Sequence, residues 1–391
     1  MLVPPTFFSA RFAGAALLGS LICSGGDGGN NPQWPMGSTA GLLELVQTTP
    51  NAAQVEPRRP GLSASAEQAR SKALEKALRH LAESQRGDGG WDLSDARERA
   101  PIAVTALGSL ALMSSGSPPG RGPYGPAVGR SIDFLLSRVD LTPNSATRGY
   151  IGVSGDPLSR MHGHGFATLA LAEAYSVSPA SPRGARLERA LPAAVDLIQR
   201  TQGGEGGWYY APRIEAEHEG SVTICLVQAL RAARNAGLLV DREVIERAVD
   251  YVRRSQAPDG SFRYQLGSDR TSVALTAAAI GTLNAAGEYQ DPAVQRGVDS
   301  IWRGLARREA GDADARAEFP HYERLYLAQA LWRLGDRSGF WEWYSAELQS
   351  LLDAQQVNGA FLDRTYGSVY ATASIALFLA LPDEFLPSFT R

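Results

Sequence analysis

The sequence predicts an all-α protein built as an (α/α)6 toroid, a ring of six helix pairs. A short device recurs at fixed spacing, and amphipathic helices alternate with helices apolar on every side. The device is a glutamine followed six residues later by an aromatic, with an acid or amide and glycine between them. It stands as Gln85…Trp91 (SQRGDGGW), Gln202…Trp208 (TQGGEGGW), Gln256…Phe262 (SQAPDGSF) and Gln355…Phe361 (AQQVNGAF). Recurrence at a period of some fifty residues marks a repeat architecture.

The pairs follow in order. Residues 66–85 and 101–113 form the first, with Pro101 suited to a first helical turn. The second joins 126–138 to 163–175 through an atypical connection containing RGYIGV. The remaining pairs are 185–200 with 221–236, 242–254 with 271–285, 292–307 with 321–334, and 339–354 with 367–380. Within REVIERAVDYVRR, Val244, Ile245, Ala248, Val249 and Val252 make one stripe opposite Arg and Glu, so this helix has one wet face. TSVALTAAAIGTL is apolar or small almost throughout and reads as buried all round. Alternation of the two kinds gives an inner barrel inside an outer ring. The glutamines lie one repeat apart from 202 to 256, and two apart from 85 to 202 and from 256 to 355. Pairs two and five are therefore present with a degenerate turn, and the array fits closure better than an open solenoid with polar caps.

Glycines after the acid allow the positive φ of a sharp turn, the glutamine amide can satisfy open backbone groups, and the aromatic can cover the inner helix start. Asp88, Glu205 and Asp259 thus read as turn residues rather than catalytic acids.

Composition is that of a soluble globular chain: 391 residues, 44% hydrophobic, 20% charged. A net charge of −3 with pI near 6.0 supplies no field for nucleic acid or an anionic membrane. The two cysteines, Cys23 and Cys225, offer neither a disulfide framework nor a thiolate metal cluster, and Cys225 sits in an apolar helix as a core residue. Arg11 followed by FAGAALLGSLIC reads as a secretory signal in residues 1–25, too short to span a bilayer comfortably. This implies export, to a periplasm; a lipid anchor on Cys23 is the variant, disfavoured by Ile22, and a disordered tail is the plain alternative. Residues 26–65, rich in Gly, Pro, Asn and Ser, read as a linker, 66–384 as the toroid and 385–391 as a tail.

The Gln…Asp/Glu-Gly-x-Trp/Phe device resembles the QW-type repeat of squalene and terpenoid cyclases and of protein prenyltransferase β subunits. More narrowly, SRMHGHGFATLALAEAYS, GSVTICLVQALRAARNAG and HYERLYLAQALWRLG resemble the exported prenyltransferase/squalene-oxidase-repeat proteins of planctomycete-type bacteria, whose activity is generally not established. The resemblance covers residues 66–384 and implies the toroid fold. It also implies where catalytic motifs would stand. For the Asp-x-Asp-Asp acid of the cyclases the nearest stretch is GDADARAEF, in which Asp312 and Asp314 are followed by Ala315. Two carboxylates can share a proton, though a solvated loop is the ordinary reading. The prenyltransferase zinc site requires an acid two residues before its cysteine, and Cys225 lacks it. The thioester Cys-Gly-Glu-Gln of the complement-type toroids is absent from the sequence.

What remains is position. The inner helices' N-terminal ends should gather at one mouth of the barrel, each with a partial positive charge. His162, His164, His218 and His321 map there, with Glu219, Arg270, Tyr322, Tyr366 and Tyr370. Tyr209, Tyr210 and Tyr264 are further wall candidates. An ordinary role, in which each histidine satisfies backbone or pairs with a neighbouring charge, stands beside the functional one. The spacing of the histidines is loose for a metal site, and neither metal nor cofactor is expected.

The leading expectation is a toroid that binds an apolar or polymeric ligand in its central cavity without cyclase or zinc-transferase chemistry. One alternative is an enzyme acting on an isoprenoid, through Asp312 or Asp314 or through a His/Arg rim gripping a diphosphate. A second is an exported carbohydrate-active (α/α)6 enzyme, which needs two carboxylates facing each other. A scaffold for protein partners is the remainder.

Overall fold

In the computed structural model the chain divides into two units, residues 1–57 and 58–391. The described residues are 61–389 apart from 155, 157–159 and 179–181, with the side chains of 336 and 337 also left aside. The expected signal segment, the lipid-anchor variant at Cys23 and nearly all of the linker lie outside them.

Twelve α-helices follow one another among the described residues. The odd-numbered ones are α1 (Ala64–Ser84), α3 (Gly125–Leu136), α5 (Gly184–Arg200), α7 (Arg242–Arg254), α9 (Pro292–Glu309) and α11 (Phe340–Ala354). The even-numbered ones are α2 (Pro101–Met113), α4 (Arg160–Val177), α6 (Gly220–Asn235), α8 (Val273–Ala286), α10 (Pro320–Leu334) and α12 (Gly367–Ala380). Burial separates the two sets as the patterning requires. On α2 every residue from Ile102 to Met113 is buried, whereas α7 buries only Val244, Ala248, Val249, Tyr251 and Val252. Each large apolar side chain so enclosed stabilises the fold by roughly 1.5–3 kcal/mol.

The even-numbered helices form a closed ring. α2 packs on α4, α4 on α6, α6 on α8, α8 on α10, α10 on α12, and α12 returns to α2. The odd-numbered helices lie outside, each against the even-numbered helix that precedes it around the ring, with α1 on α12. α1 also meets α11, so the outer layer closes. Arg70 of α1, buried, seals that seam with an ion pair to Asp383 at 2.7 Å.

The repeated device is the stitching of this ring. Gln202 Nε2 donates to Gly206 O inside its own turn and to Val244 O on the next outer helix, both at 2.8 Å. Gln85 does the same toward Ala127 O at 3.0 Å, and Gln256 toward Ala293 O at 2.8 Å. Gln355 reaches Ala73 O of α1 at 2.9 Å, joining the last turn to the first helix. The glycine of each turn abuts the next outer helix. A Cβ on Gly359 (φ 88°) would stand 2.3 Å from Lys76 O, and one on Gly206 (φ 92°) 2.3 Å from Arg247 O. Asp88 and Asp259 accept backbone N–H bonds within their turns at 3.0 Å, as turn residues should. Glu205 differs: it pairs with Arg254 at 2.7 Å.

Two features depart from the sequence reading. Pair two keeps the turn without the glutamine: Val139 and Ile151 form the bridge, and Gly149 (φ 95°) abuts Ala193 O of α5. Residues 385–389 do not trail from the barrel, since Leu386, Ser388 and Phe389 are buried.

Candidate functional site

The N-terminal ends of α6, α8 and α12 are fixed by a threonine that sequence reasoning missed. The N–H of the turn aromatic donates to a threonine hydroxyl in the first turns of the following inner helix. Trp208 uses Thr223 at 3.1 Å, Phe262 uses Thr276 at 3.1 Å and Phe361 uses Thr372 at 2.9 Å. Each threonine in turn donates to the carbonyl four residues earlier, Glu219, Ser272 or Ser368. Turn, outer helix and inner helix are thereby locked, and side chains at the inner-helix starts are rigidly placed.

Glu219 is the N-cap of α6 and has no exposed surface. Its carboxylate accepts from the N–H groups of Ser221 and Val222, each at 2.9 Å, and from Ser221 Oγ at 2.6 Å. Its own N–H donates to Trp208 O at 2.8 Å, so the turn carries the cap with it. Having given its proton to Glu219, Ser221 Oγ accepts from His162 Nε2 at 2.9 Å, which sets the histidine's Nε2–H tautomer. Burial holds His162 below the usual histidine range, with the Glu219 charge pulling the other way. The result is a neutral imidazole tied through a serine to a buried carboxylate.

Aromatic rings wall this chain. Tyr210 lies 5.7 Å from the His162 ring and shares a hydroxyl–hydroxyl bond with Tyr264 at 3.0 Å. Tyr209 meets Tyr210 edge-on at 4.8 Å. From α10, Tyr322 and Tyr326 pack with centroids 4.5 Å apart, and neither hydroxyl makes a hydrogen bond among the described residues. The Tyr322 hydroxyl comes beside Ser221 without reaching hydrogen-bond geometry, and burial raises both phenols far above the ordinary range. Cys225 closes the floor; its Sγ donates to His162 O at 3.5 Å, and burial pushes the thiol up, away from thiolate.

His321 and Tyr370 form a second group on α10 and α12, with rings 6.1 Å apart. His321 Nε2 faces Asp363 at 3.8 Å, and its Nδ1 accepts from Arg324 at 3.4 Å. Burial and Arg324 both lower its pKa. Tyr366 stands 5.2 Å from Tyr370 and 6.4 Å from Phe319. Asp363 is occupied as a cap, accepting from the N–H groups of Thr365 and Tyr366 at 2.8 and 2.6 Å.

The other predicted residues do other work. His164 is fully buried, its Nδ1 accepting from Ile151 N–H at 3.2 Å and its Nε2 donating to Ala194 O at 3.3 Å. It binds α4 to the outer layer. His218 bonds Tyr251 Oη at 3.1 Å. Arg270 is exposed, pairs with Glu318 at 2.5 Å and lies over the Tyr264 ring at 4.9 Å. Asp312 caps a 3-10 turn, accepting from Asp314 N–H at 3.0 Å, and pairs with Arg307 at 2.6 Å. Asp314 is exposed, so the pair forms a solvated turn rather than a buried dyad. Deeper in the ring, Gln228 of α6 donates to Gln329 of α10 at 3.2 Å, and side chains cross the barrel at that level. No group of three or more His, Cys, Asp or Glu able to hold a metal occurs among the described residues.

No model of a known protein family matches the chain. A segment of 113 residues is 34% identical to drimenyl diphosphate synthase of Streptomyces showdoensis, covering 29% of this chain and 19% of that protein. The match thus spans about a fifth of the length of that curated relative. Among solved structures, a type II terpene cyclase from Scytonema bound to geranylgeranyl dihydroxybenzoate superposes with TM-score 0.53 at 19% identity, covering 83% of this chain and all of that one. The fold is an α/α toroid like that of this cyclase. A D-mannose isomerase shares the toroid with TM-score 0.58 at 13% identity over 83% of this chain and all of that one, so the architecture alone does not select a reaction. In this toroid, no described helix is long and apolar enough to cross a membrane.

Proposed function

We propose that this protein binds an apolar, isoprenoid-like ligand at the aromatic mouth formed by the starts of α4, α6, α10 and α12, and does not carry out acid-initiated cyclisation through Asp312 or Asp314. The observation that carries the reading is the chain from the buried Glu219 through the half-buried Ser221 to His162, walled by Tyr210, Tyr322 and Tyr326, two of whose hydroxyls have no partner among the described residues. Aromatic walls with a few polar groups suit an apolar ligand bearing one polar end. A neutral His162 and a carboxylate already accepting three bonds are poor proton sources. Support for the ligand class comes from the stretch similar to drimenyl diphosphate synthase and from the isoprenoid-bound toroid. The carbohydrate reading finds less support at this mouth: Glu219 and Asp363 are engaged as caps, and Glu323 pairs with Arg308 at 2.7 Å.

Purified protein should bind squalene or a farnesyl chain saturably and return it unchanged. Tyr322→Ala should weaken that binding about tenfold, since a ring contributes roughly 1–2 kcal/mol of contact. Asp312→Asn with Asp314→Asn should leave binding unaltered. A cyclised product, lost in the double aspartate variant, would overturn the reading.

A further inference from the structure

The opposite end of the barrel, where the inner helices finish, holds a second buried polar cluster. Arg231 of α6 and Arg333 in the last turn of α10 enter one crevice, with Gln228 and Gln329 beneath them and Ser388–Phe389 above. The crevice is too narrow to admit a water molecule.

Two guanidinium groups share this crevice, and neither pairs with a carboxylate among the described residues. Arg231 donates to Asn284 O at 2.9 Å and to Tyr289 Oη at 3.3 Å. Arg333 donates through Nη2 to the Ser388 carbonyl, while its Nε and Nη1 are shut off from solvent and bond to nothing among the described residues. Glu173 sits behind the same segment: its Oε1 accepts from Ser388 N–H at 2.9 Å, its Oε2 has no hydrogen-bond partner among the described residues, and burial raises its pKa and weakens it as a counter-charge. Burial, with Arg231 adding to it, lowers Arg333 to about 10. Attraction to the negative ends of the inner helices explains why Arg231 caps α8. It does not explain two sealed, unpaired donor nitrogens on Arg333, which in a protein interior call for an acceptor.

We propose that this end of the barrel is a binding site for a small oxyanion, a carboxylate or a phosphate, held by Arg231 and Arg333 with the Gln228 and Gln329 amides, and that the Ser388 backbone occupies part of it. A guanidinium fork matches the oxygens of either anion. The Ser388 carbonyl takes the donor that a ligand oxygen would take, and the narrow crevices require Ser388 and Phe389 to move aside as the ligand enters. The site lies at the other end of the ring from the aromatic mouth and does not depend on that reading.

Calorimetric titration of the full chain with inorganic phosphate, and separately with acetate, tests the site. One saturable site per chain is expected for at least one ion, and the responding arm names the anion class. Arg333→Gln should weaken it by about tenfold or more, Phe389→Ala should tighten it, and Tyr322→Ala should leave it unchanged. Arg231→Gln serves as a second reporter should Arg333→Gln fail to fold. Absence of saturable binding of either ion up to about 10 mM, in the wild type and in Phe389→Ala, overturns the proposal. So does equal binding by both arginine variants.

Discussion

His162 and His164 stand two residues apart on one helix and serve different sides of it. His162 points to the mouth and Ser221, while His164 faces the outer layer with both ring nitrogens bonded to backbone. Desolvation takes His164 down to about 3, against an ordinary value of 6.5. The folded state therefore refuses a proton that the unfolded chain accepts. Its contribution is unchanged above pH 6.5 and is lost as pH falls from there toward 3. Between pH 7 and pH 4 the loss is about 3 kcal/mol. Denaturant titrations across that range should show a shallower fall in His164→Gln than in the wild type, even though the variant is less stable at neutral pH; equal falls would contradict the assignment. The sequence placed four histidines at the inner-helix starts, but not which way each faced. On a helix apolar all round, both the lumen and the outer layer look alike in composition. Ser221 was hidden for a different reason: in GSVTIC it reads as an ordinary capping residue, and its link to His162 spans two helices. The aspartates of GDADARAEF were legible as a turn, because Asp at the start of a short turn caps its own backbone.

At the scale of the helix pair, the device was legible because its glutamine, glycine and aromatic are adjacent in sequence. Its targets were not: the carbonyls of Ala127, Val244, Ala293 and Ala73 belong to the next outer helix, and the threonine lies beyond the turn. Pair two keeps the glycine without the glutamine, since Gly149 abuts Ala193 O. Gln355→Ala removes two bonds and leaves the Ala73 and Gly359 carbonyls without them, a loss of about 1–3 kcal/mol. Gly359→Ala should cost more, because a side chain at φ 88° is strained and its Cβ would stand 2.3 Å from Lys76 O. Both losses are read as shifts in the denaturant midpoint. A Gly359→Ala midpoint above that of Gln355→Ala would show that the turn does not set the distance between neighbouring outer helices.

Taken whole, the toroid closes twice, through α12 on α2 inside and through Gln355 and Arg70 on the outer layer. Closure gives the barrel two unlike ends. One gathers helix starts, tyrosines and the Glu219–Ser221–His162 chain. The other gathers helix ends, two arginines and the buried Ser388–Phe389 segment. Helix polarity within a ring of parallel inner helices produces this asymmetry, and the period of the sequence repeat foretold it. The docking of residues 385–389 was not foretold, because a short stretch without periodicity looks the same whether it trails or docks. The central claim, that the aromatic mouth receives an apolar isoprenoid-like chain, is tested most directly by photo-crosslinking the full protein with a diazirine-bearing farnesyl probe and mapping the adducts. The expected adducts fall on the peptides carrying Tyr210, Tyr322 and Tyr370, and unlabelled squalene competes them away; adducts confined to the outer helices, or indifferent to squalene, would contradict it.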